Sequence, residues 1–457
     1  MEAHRTLRDF IQVLKDQGEL LSLSKRFDPK YEISAVISEL GKRKAPAVLF
    51  EKPKGFQISV IGNLFGTVRR LSLALGLEEN RLLEEVIPRL EKRIPPVSIA
   101  EDPAQVVRVS RGKVDLLKIL PVLTHYSKDS GPYITSGISS ARDPVTGATG
   151  RGLHRMEVRS KNTLGISLLN PPLSDIYAMC RKEGKKMEIA TVIGVPPAVF
   201  IASILKVPTG VDKLSVAGGL KGGPVETIRA ETVDLDIPAH GEIVIEGYID
   251  PRGKEEDGTL GDSSGYYISF GKSPTIHVTG LKVRKGALYH AIVPWTREVD
   301  SILYLVHGLD FIPKMRREIP SLRQVHLVPM TFGSHVVMSM DTDQKGEIRR
   351  ALTLALSFAS VKKAVAVDVD VDPQDDQEVE WALATRFQAD RDLIVIPELK
   401  GQPIDPSSRW TGEGFVTTKM GLDATRPKKE GFEKVDVPEE VKRRLSPVLK
   451  DLLGRMK

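Results

Sequence analysis

The sequence predicts an α+β protein of several domains. The chain has 457 residues, 41% of them hydrophobic, which is enough for two or three domains with buried cores. Residues 1–110 and 301–457 alternate helical and strand patterns, whereas residues 111–300 consist mainly of short strand patterns between Gly/Pro turns. We therefore predict an N-terminal α/β domain (1–110), a central β domain (111–300) and a C-terminal α/β domain (301–457).

The N-terminal region opens with a pattern typical of an amphipathic helix. Thr6 and Asp9 have the spacing of a capping box, apolar residues recur at helical intervals from Leu7 to Leu14, and Gly18 is placed to end the helix. Two further helices and two short strands follow from the same patterns. They are predicted in YEISAVISELGKR, ENRLLEEVIPRLEK, APAVLF and FQISVIGN.

The central region contains short β-rich runs separated by turns, with one helix near 173–184. This texture predicts a barrel or sandwich-like β domain with some helix. The runs are LHRMEVRS, TLGISLL, EIATVIGV, EIVIEGYID, TIHVTGLKV and ALYHAIV.

The C-terminal region returns to alternation of helices and strands. A helix near 299–308, a helix in KGEIRRALTLALSFA and a strand in KKAVAVDVDV are predicted. The last helix begins at Pro438, with a kink expected at Pro447. One face of it carries Val441, Leu445, Val448 and Leu452.

Composition narrows the classes of function. The net charge is +6, but the basic residues are scattered among acids and only 5% of residues are aromatic, so a nucleic-acid surface is not indicated. A single cysteine, Cys180, excludes an intramolecular disulfide and a Cys-cluster metal site. The N-terminus has no apolar signal region, and no segment is suited to cross a membrane. We predict a cytoplasmic protein.

Three segments resemble ligand-binding motifs only superficially. GYYISFGKS (265–273) has the wrong glycine spacing for a phosphate loop and is followed by a strand pattern. DVDVD (368–372) has Pro373 where a calcium loop needs glycine, so we interpret it as the acidic end of a buried strand. GGLKGG (218–223) lacks the context of a dinucleotide fingerprint and is interpreted as a flexible turn.

The candidate chemistry lies in carboxylates and an arginine. Strand alternation in LHRMEVRS places Leu153, Arg155 and Glu157 on one face. In KEEDGTLGDSSGYY (254–267), the acids Asp257 and Asp262 flank a Gly-Thr-Leu-Gly turn, which could be a solvated hairpin, a cation loop or a carboxylate pair. An arginine beside two acids could hold a carboxylate substrate bidentately while one acid of the pair stays protonated.

Six segments, in order along the chain, resemble the UbiD-like decarboxylase family. The similarity extends over essentially the whole sequence. The segments are GNLFGTVRR (62–70), GLHRMEV (152–158), GVPPA (194–198), AGGLKG (217–222), DGTLGDSSGYY (257–267) and SSRWTGEGFVTTKMGLDAT (407–425).

The resemblance implies a fold and a reaction. It implies an N-terminal α/β domain, a central split β-barrel that binds flavin, and a C-terminal α/β domain that supports homo-oligomers such as dimers or hexamers. It also implies reversible, non-oxidative decarboxylation of an aromatic or α,β-unsaturated carboxylic acid on prenylated FMN, releasing CO2. A flavin prenyltransferase would then supply the cofactor.

The resemblance also assigns roles to individual residues. The family's catalytic arginine corresponds to Arg155 and its two acids to Asp257 and Asp262. By analogy, Arg155 binds the substrate carboxylate, Asp257 orders the arginine, and Asp262 protonates the carbon that loses CO2 while the flavin serves as electron sink. The implied cofactor-binding residues are Lys213, Lys419, His154 and Pro208.

The sequence departs from the family where a divalent cation, commonly Mn²⁺, is bound to the flavin phosphate by Asn, His and Glu. Gly150 stands at the Asn position and Lys213 at the Glu position, and LLNPPLSD (168–175) contains no histidine. The first acid is also Asp257 in place of the usual Glu, although Glu256 adjoins it. The usual metal site is therefore predicted to be lost.

Two interpretations of these departures remain open. In the first, the Lys213 ammonium replaces the cation and pairs with the flavin phosphate directly. In the second, the protein no longer binds prenylated FMN and acts without turnover in the binding or assembly of a larger carboxylase. Because Arg155 and both acids are retained, we favour the first.

Overall fold

The computed structural model describes residues 4–100, 106–109, 113–208, 210–426 and 434–455. The chain forms two compact units. The first comprises Met1–Pro313, Leu327–Ser334 and Lys400–Thr417, and the second comprises Lys314–His326, His335–Leu399 and Thr418–Lys457. The predicted boundary near 110 lies outside the described residues, and the boundary near 300 falls within a helix. The division into three domains stays a prediction.

Twelve α-helices lie within the described part of the chain, together with one short 3-10 helix at Glu79–Arg81. They are α1 (Leu7–Asp16), α2 (Glu32–Lys42), α3 (Val68–Leu75), α4 (Leu82–Glu91), α5 (Leu116–Ile119), α6 (Leu173–Lys182), α7 (Pro197–Ile204), α8 (Lys213–Lys221), α9 (Arg297–Glu318), α10 (Lys345–Ser357), α11 (Asp376–Arg386) and α12 (Glu439–Arg455).

The described strands number twenty-four. Those before residue 200 are β1 (Leu20–Leu23), β2 (Ala47–Phe50), β3 (Ser59–Gly62), β4 (Val97–Ser98), β5 (Val106–Val109), β6 (Tyr133–Ile134), β7 (Ile138–Arg142), β8 (Thr149–Leu153), β9 (Met156–Ser160), β10 (Thr163–Ile166) and β11 (Met187–Ile193). Those after it are β12 (Glu226–Arg229), β13 (Asp236–Pro238), β14 (Ile243–Glu256), β15 (Leu260–Gly261), β16 (Tyr267–Ile268), β17 (Lys272–Arg284), β18 (Leu288–His290), β19 (Leu322–Leu327), β20 (His335–Met340), β21 (Lys363–Asp368), β22 (Leu393–Lys400), β23 (Arg409–Trp410) and β24 (Phe415–Asp423).

A nine-stranded sheet organises the first unit. Its order is β6-β9-β10-β17-β14-β11-β7-β8, with β5 paired to β17. Pairing between β14 and β17 is antiparallel and extends from Ile243↔Val283 to Glu256↔Lys272. Each predicted β-rich run of the central region thus contains a strand, and all but ALYHAIV belong to this sheet; LHRMEVRS is interrupted between β8 and β9. The last run forms β18, which joins β1, β2 and β3 in a four-stranded sheet.

Two hydrophobic clusters fill the first unit. One contains Phe10, Phe65 and Phe200, whose rings stack in sequence with centroids 5.9 Å and 5.0 Å apart. The other lies beneath the nine-stranded sheet and includes Met156 and Ile249. Burial of large apolar side chains on this scale is the main stabilising contribution to such a fold.

The second unit is built on parallel strands. β20 pairs with β21, β21 pairs with β24, and the buried face of α10 packs against β21. Acidic side chains end β21, as predicted for DVDVD. Asp368 and Asp370 both accept hydrogen bonds from the buried Arg386 guanidinium, at 3.0 Å and 2.8 Å. The two carboxylates are therefore partners of one buried arginine.

Local sequence signals predicted several helices correctly. The Thr6–Asp9 capping box is present with both of its reciprocal hydrogen bonds, and Gly18 follows α1 with a φ of 69°. The interpretation of GGLKGG as a flexible turn was wrong, because Gly218 and Gly219 lie within α8. A Cβ at Gly219 would stand 1.8 Å from the Lys92 carbonyl oxygen, so glycine is required there for close packing against the segment that follows α4.

None of the described helices is long and apolar enough to cross a membrane.

Candidate active site

Arg155 lies where the chain passes from one strand ladder to another. β8 pairs with β7, whereas β9 pairs with β6 and β10, and residues His154 and Arg155 connect β8 to β9. The prediction of one continuous strand through Leu153 and Arg155 was therefore wrong. Alternation does hold within β9, where Met156 is buried and Glu157 is half-buried. Arg155 thus belongs to the connection between the two strands and to neither ladder.

Arg155 and Asp257 form a buried ion pair. Arg155 Nη2 donates to Asp257 Oδ2 at 2.7 Å, and the two side chains are only 11% and 6% exposed. The Phe270 backbone N–H donates to the same oxygen at 2.9 Å, and the guanidinium lies over the Phe270 ring, 5.1 Å from its centroid. These contacts fix the arginine in one orientation.

The same guanidinium keeps unused hydrogen-bonding capacity. Nε and Nη1 of Arg155 are buried and have no hydrogen-bond partner within the described structure. A buried, unpaired N–H of a charged group is costly, so it calls for a partner such as a ligand or an ordered water. Asp257 takes one N–H of Nη2, and the second N–H of Nη2, together with that of Nε or of Nη1, matches the two oxygens of a carboxylate.

Asp262 lies later on the hairpin that begins with Asp257. It follows β15, and its carboxylate accepts a hydrogen bond from Ser263 Oγ at 2.8 Å. Its backbone N–H and carbonyl form a tight turn with Tyr266 and Gly265, both at 2.9 Å. The structure thus pairs Arg155 with Asp257 directly and leaves the half-buried Asp262 outside that ion pair.

A further carboxylate, which sequence reasoning gave no role, lies beside this pair. Glu157 Oε1 accepts a hydrogen bond from Ser130 Oγ at 2.5 Å, and Ser130 Oγ lies 3.0 Å from the Tyr133 hydroxyl. Burial raises the pKa of Tyr133, and the charges of Glu157 and Asp257 raise it further, so the phenol stays protonated. The sequence could have suggested Glu157, because it stands two residues after Arg155. Its partner Ser130 could not be found in this way, because it comes from a loop that is remote in sequence.

Lys213 is buried at the first turn of α8. Its ammonium donates to the Ser203 carbonyl at 2.7 Å and has no acidic partner in the part of the chain that the structure describes. Burial lowers the pKa of Lys213 to about 8. The α8 N-terminus is held by Asp212, which caps the helix and also accepts from Arg151 Nη1 at 2.5 Å. A lysine in an exposed turn would be solvated, whereas Lys213 is buried because it lies in the first turn of this helix.

His154 lies close enough to Lys213 for the lysine charge to affect its titration. Burial, assisted by that ammonium, lowers the pKa of His154 to about 4, so the ring is neutral at pH 7. Nδ1 lies 3.0 Å from the Ser167 carbonyl oxygen, which can only accept. The proton is therefore on Nδ1, and Nε2 is a hydrogen-bond acceptor.

Two other predicted cofactor residues have different surroundings. Pro208 is exposed in the link between α7 and α8. Lys419, in the second unit, is buried, and its ammonium donates to the Leu356 and Phe358 carbonyls at 3.0 Å and 2.6 Å. Those carbonyls lie at the end of α10, so Lys419 stabilises a helix C-terminus. Its contact with a flavin phosphate stays a prediction.

The position predicted to have lost a metal ligand is filled by apolar side chains. A Cβ at Gly150 would stand 2.6 Å from Ile176 Cδ1 and 2.9 Å from Pro172 Cγ. Any side chain there, including asparagine, would displace the start of α6. Within the described residues, no three His, Cys, Asp or Glu side chains are grouped as metal ligands. Gly150 itself cannot supply a ligand side chain, and loss of the whole cation site stays a prediction.

Comparison with family models covers most of the chain. Residues 11–90, 97–297 and 301–424 match the N-terminal, Rift-related and C-terminal domains of 3-octaprenyl-4-hydroxybenzoate carboxy-lyase, respectively. Among curated proteins, the anhydromevalonate phosphate decarboxylase of Methanosarcina mazei is 33% identical over 446 residues, which is 95% of this chain and 100% of that protein.

Solved structures of UbiD-class enzymes are similar to this chain over nearly its whole length. The UbiD-class enzyme HmfF from Pelotomaculum thermopropionicum in complex with FMN is 35% identical, with a TM-score of 0.89 over 97% of this chain and 99% of that one. An evolved dimeric form of HmfF in complex with prFMN has a TM-score of 0.85 at 33% identity, over 97% of this chain and 100% of that one. The 3,4-dihydroxybenzoic acid decarboxylase AroY of Klebsiella pneumoniae has a TM-score of 0.88 at 26% identity, over 98% of this chain and 99% of that one.

Proposed function

The chain belongs to the UbiD family of carboxy-lyases, and we propose that it catalyses the reversible, non-oxidative decarboxylation of an aromatic or α,β-unsaturated carboxylic acid on prenylated FMN. Relatives named as decarboxylases of anhydromevalonate phosphate and of 3,4-dihydroxybenzoic acid support a carboxylic acid as the substrate class. The mixed α/β architecture supports the same assignment. We further propose that the nine-stranded sheet is the family's split β-barrel.

The observation that carries the proposal is the unused hydrogen-bonding capacity of the Arg155 guanidinium. Its Nε and Nη1 are buried without a partner in the described structure, while Nη2 is held by Asp257. Nε and Nη1 lie on different edges of the guanidinium, and either one can bind a carboxylate bidentately together with the second N–H of Nη2. Asp257 balances the charge of Arg155, so the arginine can remain buried when no substrate is bound.

The remaining steps divide between cofactor and side chains. When bound, prenylated FMN supplies an electron sink for the electron pair left by departing CO2. Arg155 orients the carboxylate, and Asp262 delivers a proton to the carbon that held it. Asp262 is suited to this role because its carboxyl group is outside the ion pair and is half-buried, with the Ser263 hydroxyl as its partner.

The cofactor phosphate is proposed to lie beside Lys213. A buried ammonium with one carbonyl partner and no carboxylate within reach in the described structure fits an anionic phosphate. His154 offers an acceptor at Nε2, which suits a ribityl hydroxyl better than a phosphate oxygen. Roles of Pro208 and Lys419 in cofactor binding stay predictions.

We propose that this phosphate site works without a divalent cation. Gly150 has no room for a ligand side chain because Pro172 and Ile176 occupy the space, and Lys213 introduces a positive charge where a carboxylate ligand would stand. A cation placed beside a buried ammonium would be repelled, whereas the ammonium itself can neutralise one phosphate charge. Lys213 would thus replace the metal.

Other predictions accompany this function. The apolar face of α12 is exposed, with Leu445, Val448, Leu449 and Leu452 between 42% and 53% accessible, which supports a homo-oligomer. A dimer or hexamer, a cytoplasmic location and supply of cofactor by a flavin prenyltransferase stay predictions.

The direct test is cofactor analysis of the protein produced together with a flavin prenyltransferase. We expect a visible absorption spectrum of a bound flavin, and the released cofactor should have the mass of prenylated FMN. Protein produced without the prenyltransferase is the control. If no flavin binds under any reconstitution, the enzyme assignment fails, and a role in binding or assembly of a larger carboxylase takes its place.

Flavin binding should depend on pH through Lys213. Because the free protein holds the pKa of Lys213 at about 8, the amine becomes neutral above that pH unless a phosphate stabilises its charge. FMN affinity is therefore expected to fall by up to about tenfold per pH unit above about pH 8, and not to depend on EDTA. Fluorescence titration with FMN measures both effects.

Two variants make this test specific to Lys213. Lys213→Met should bind FMN weakly at every pH, and Lys213→Glu more weakly still without added metal. His154 does not titrate in this range, because its pKa lies near 4. Equal affinity of wild type and Lys213→Met, or loss of wild-type binding in EDTA, would remove the proposed role of the lysine.

A further inference from the structure

The turn between the two catalytic acids is held by a loop from outside the hairpin. The Ser130 backbone N–H donates to the Thr259 carbonyl at 2.9 Å, and the Gly261 backbone N–H donates to Asp129 Oδ1 at 2.9 Å. Both contacts fall between Asp257 and Asp262. Two consecutive loop residues thus bind the segment that sets the separation of the acids.

Asp129 is itself rigidly held. Its side chain is fully buried, and Oδ2 accepts hydrogen bonds from the backbone N–H groups of His125 and Tyr126, both at 2.9 Å. Burial raises the pKa of Asp129, but the hydrogen bonds and the His125 ring outweigh that effect, so its pKa lies below the ordinary value. The residue is therefore an ionised acceptor for three backbone N–H groups.

Glu157 supports the other end of the same turn. A Cβ at Gly258 would stand 2.2 Å from both Glu157 Oε1 and Ser130 Oγ, so the backbone next to Asp257 rests directly on this hydrogen-bonded pair. Glu157 is in turn contacted by Arg159 Nε at 3.3 Å. We call Asp129, Ser130 and Glu157 the hairpin clamp.

The clamp restricts a segment whose backbone would otherwise be flexible. The link Gly258–Gly261 contains two glycines, which leave a free chain with many backbone conformations. A general acid must be within hydrogen-bond reach of the reacting carbon, and a misplacement of about 1 Å can cost about 100-fold in rate. Anchoring the link at Gly258, Thr259 and Gly261 removes that freedom on both sides.

We propose that the hairpin clamp sets the position of Asp262 relative to the Arg155–Asp257 pair, and that Asp129, Ser130 and Glu157 are positioning residues for the proton-transfer step. This inference rests on the proposed decarboxylation. The clamp residues do not exchange a proton with substrate; they act through the backbone of the turn.

Asp129→Asn and Ser130→Ala test the proposal. Asparagine keeps the shape of Asp129 but replaces one acceptor oxygen by an NH2 group, and alanine removes the Ser130 contact to Glu157. Each variant is expected to lower kcat and solvent-proton exchange at the substrate carbon about 10- to 100-fold, with KM and flavin content unchanged. Thr353→Ala is the control, because this exposed residue of α10 makes its side-chain hydrogen bond only to the Arg349 carbonyl of its own helix, and it should retain wild-type rates.

Amide hydrogen exchange separates this proposal from the enzyme assignment. In Asp129→Asn, protection of the Gly261 amide should fall while protection of the nine-stranded sheet is retained. If the Gly261 amide loses protection in Asp129→Asn but the wild-type protein shows no turnover, then the proposed function is wrong and the contact between the clamp and the hairpin is not. Wild-type rates in both variants would overturn the positioning role. A rise in KM and a loss of flavin content in proportion to the fall in kcat would overturn it as well. The conservative Asp129→Glu should recover part of the rate.

Discussion

Replacement of Arg155 by glutamine is expected to lower kcat/KM for decarboxylation about 1,000-fold. Two charge-assisted hydrogen bonds to a substrate carboxylate are each worth about 1.5–3 kcal/mol, which corresponds to a factor of about 100 to 10,000 when both are lost. The substitution also leaves Asp257, which is 6% exposed, without its counter-charge. Release of CO2 under single-turnover conditions measures the effect on protein with a verified flavin content.

Arg155→Lys is the matched variant for this prediction. Lysine retains the positive charge and can still pair with Asp257, but it lacks the planar arrangement of N–H groups that reaches two carboxylate oxygens at once. Its kcat/KM should fall between those of wild type and Arg155→Gln. If Arg155→Gln retains wild-type kcat/KM with flavin bound, the substrate carboxylate is held elsewhere and the role of Arg155 is wrong.

Local signals in the sequence were sufficient for much of the secondary structure. The Thr6–Asp9 capping box and the strand alternation around Met156 and Val158 depend on neighbours within a few residues, and both are confirmed. GGLKGG misled because glycine usually weakens a helix, whereas close approach of another backbone to Gly219 requires it here.

The site itself was less accessible from local patterns. Arg155 and Asp257 are far apart in sequence, and local chemistry alone favoured a surface arginine and turn acids; the family resemblance supplied the pairing. Asp129 carries no motif that distinguishes it from any loop acid. Its three backbone hydrogen bonds arise only when the loop meets the hairpin, which is a tertiary event.

Lys213 illustrates both what the sequence can predict and what depends on tertiary contacts. The family resemblance places Lys213 at the position of an expected carboxylate ligand, and this correspondence stays a prediction. Burial at the start of α8 depends on the Arg151–Asp212 contact and on Ser203 at the end of α7. The sequence shows directly that Gly150 has no side chain. It does not show that Pro172 and Ile176 pack against this position.

Replacement of Asp262 by asparagine should remove proton transfer and leave binding intact. The two side chains have nearly the same shape, and the amide oxygen can still accept from Ser263, so the turn is retained. An amide cannot donate a proton to carbon as an acid, and loss of a positioned general acid costs about 100- to 10,000-fold. Exchange with deuterium of the product proton that replaces CO2, followed by NMR in D2O, measures this step directly.

The comparison with Asp257→Asn assigns the two acids. Asp262→Asn should keep wild-type flavin content and substrate KM while exchange falls to background, because the Arg155–Asp257 pair is untouched. Asp257→Asn should instead weaken substrate binding and lower the free energy of unfolding by about 3–5 kcal/mol, because it leaves a buried guanidinium without its counter-charge. Retained exchange in Asp262→Asn would move the acid role to Asp257 or to the neighbouring Glu157, and the separate positions of the two acids on the hairpin would then need another explanation.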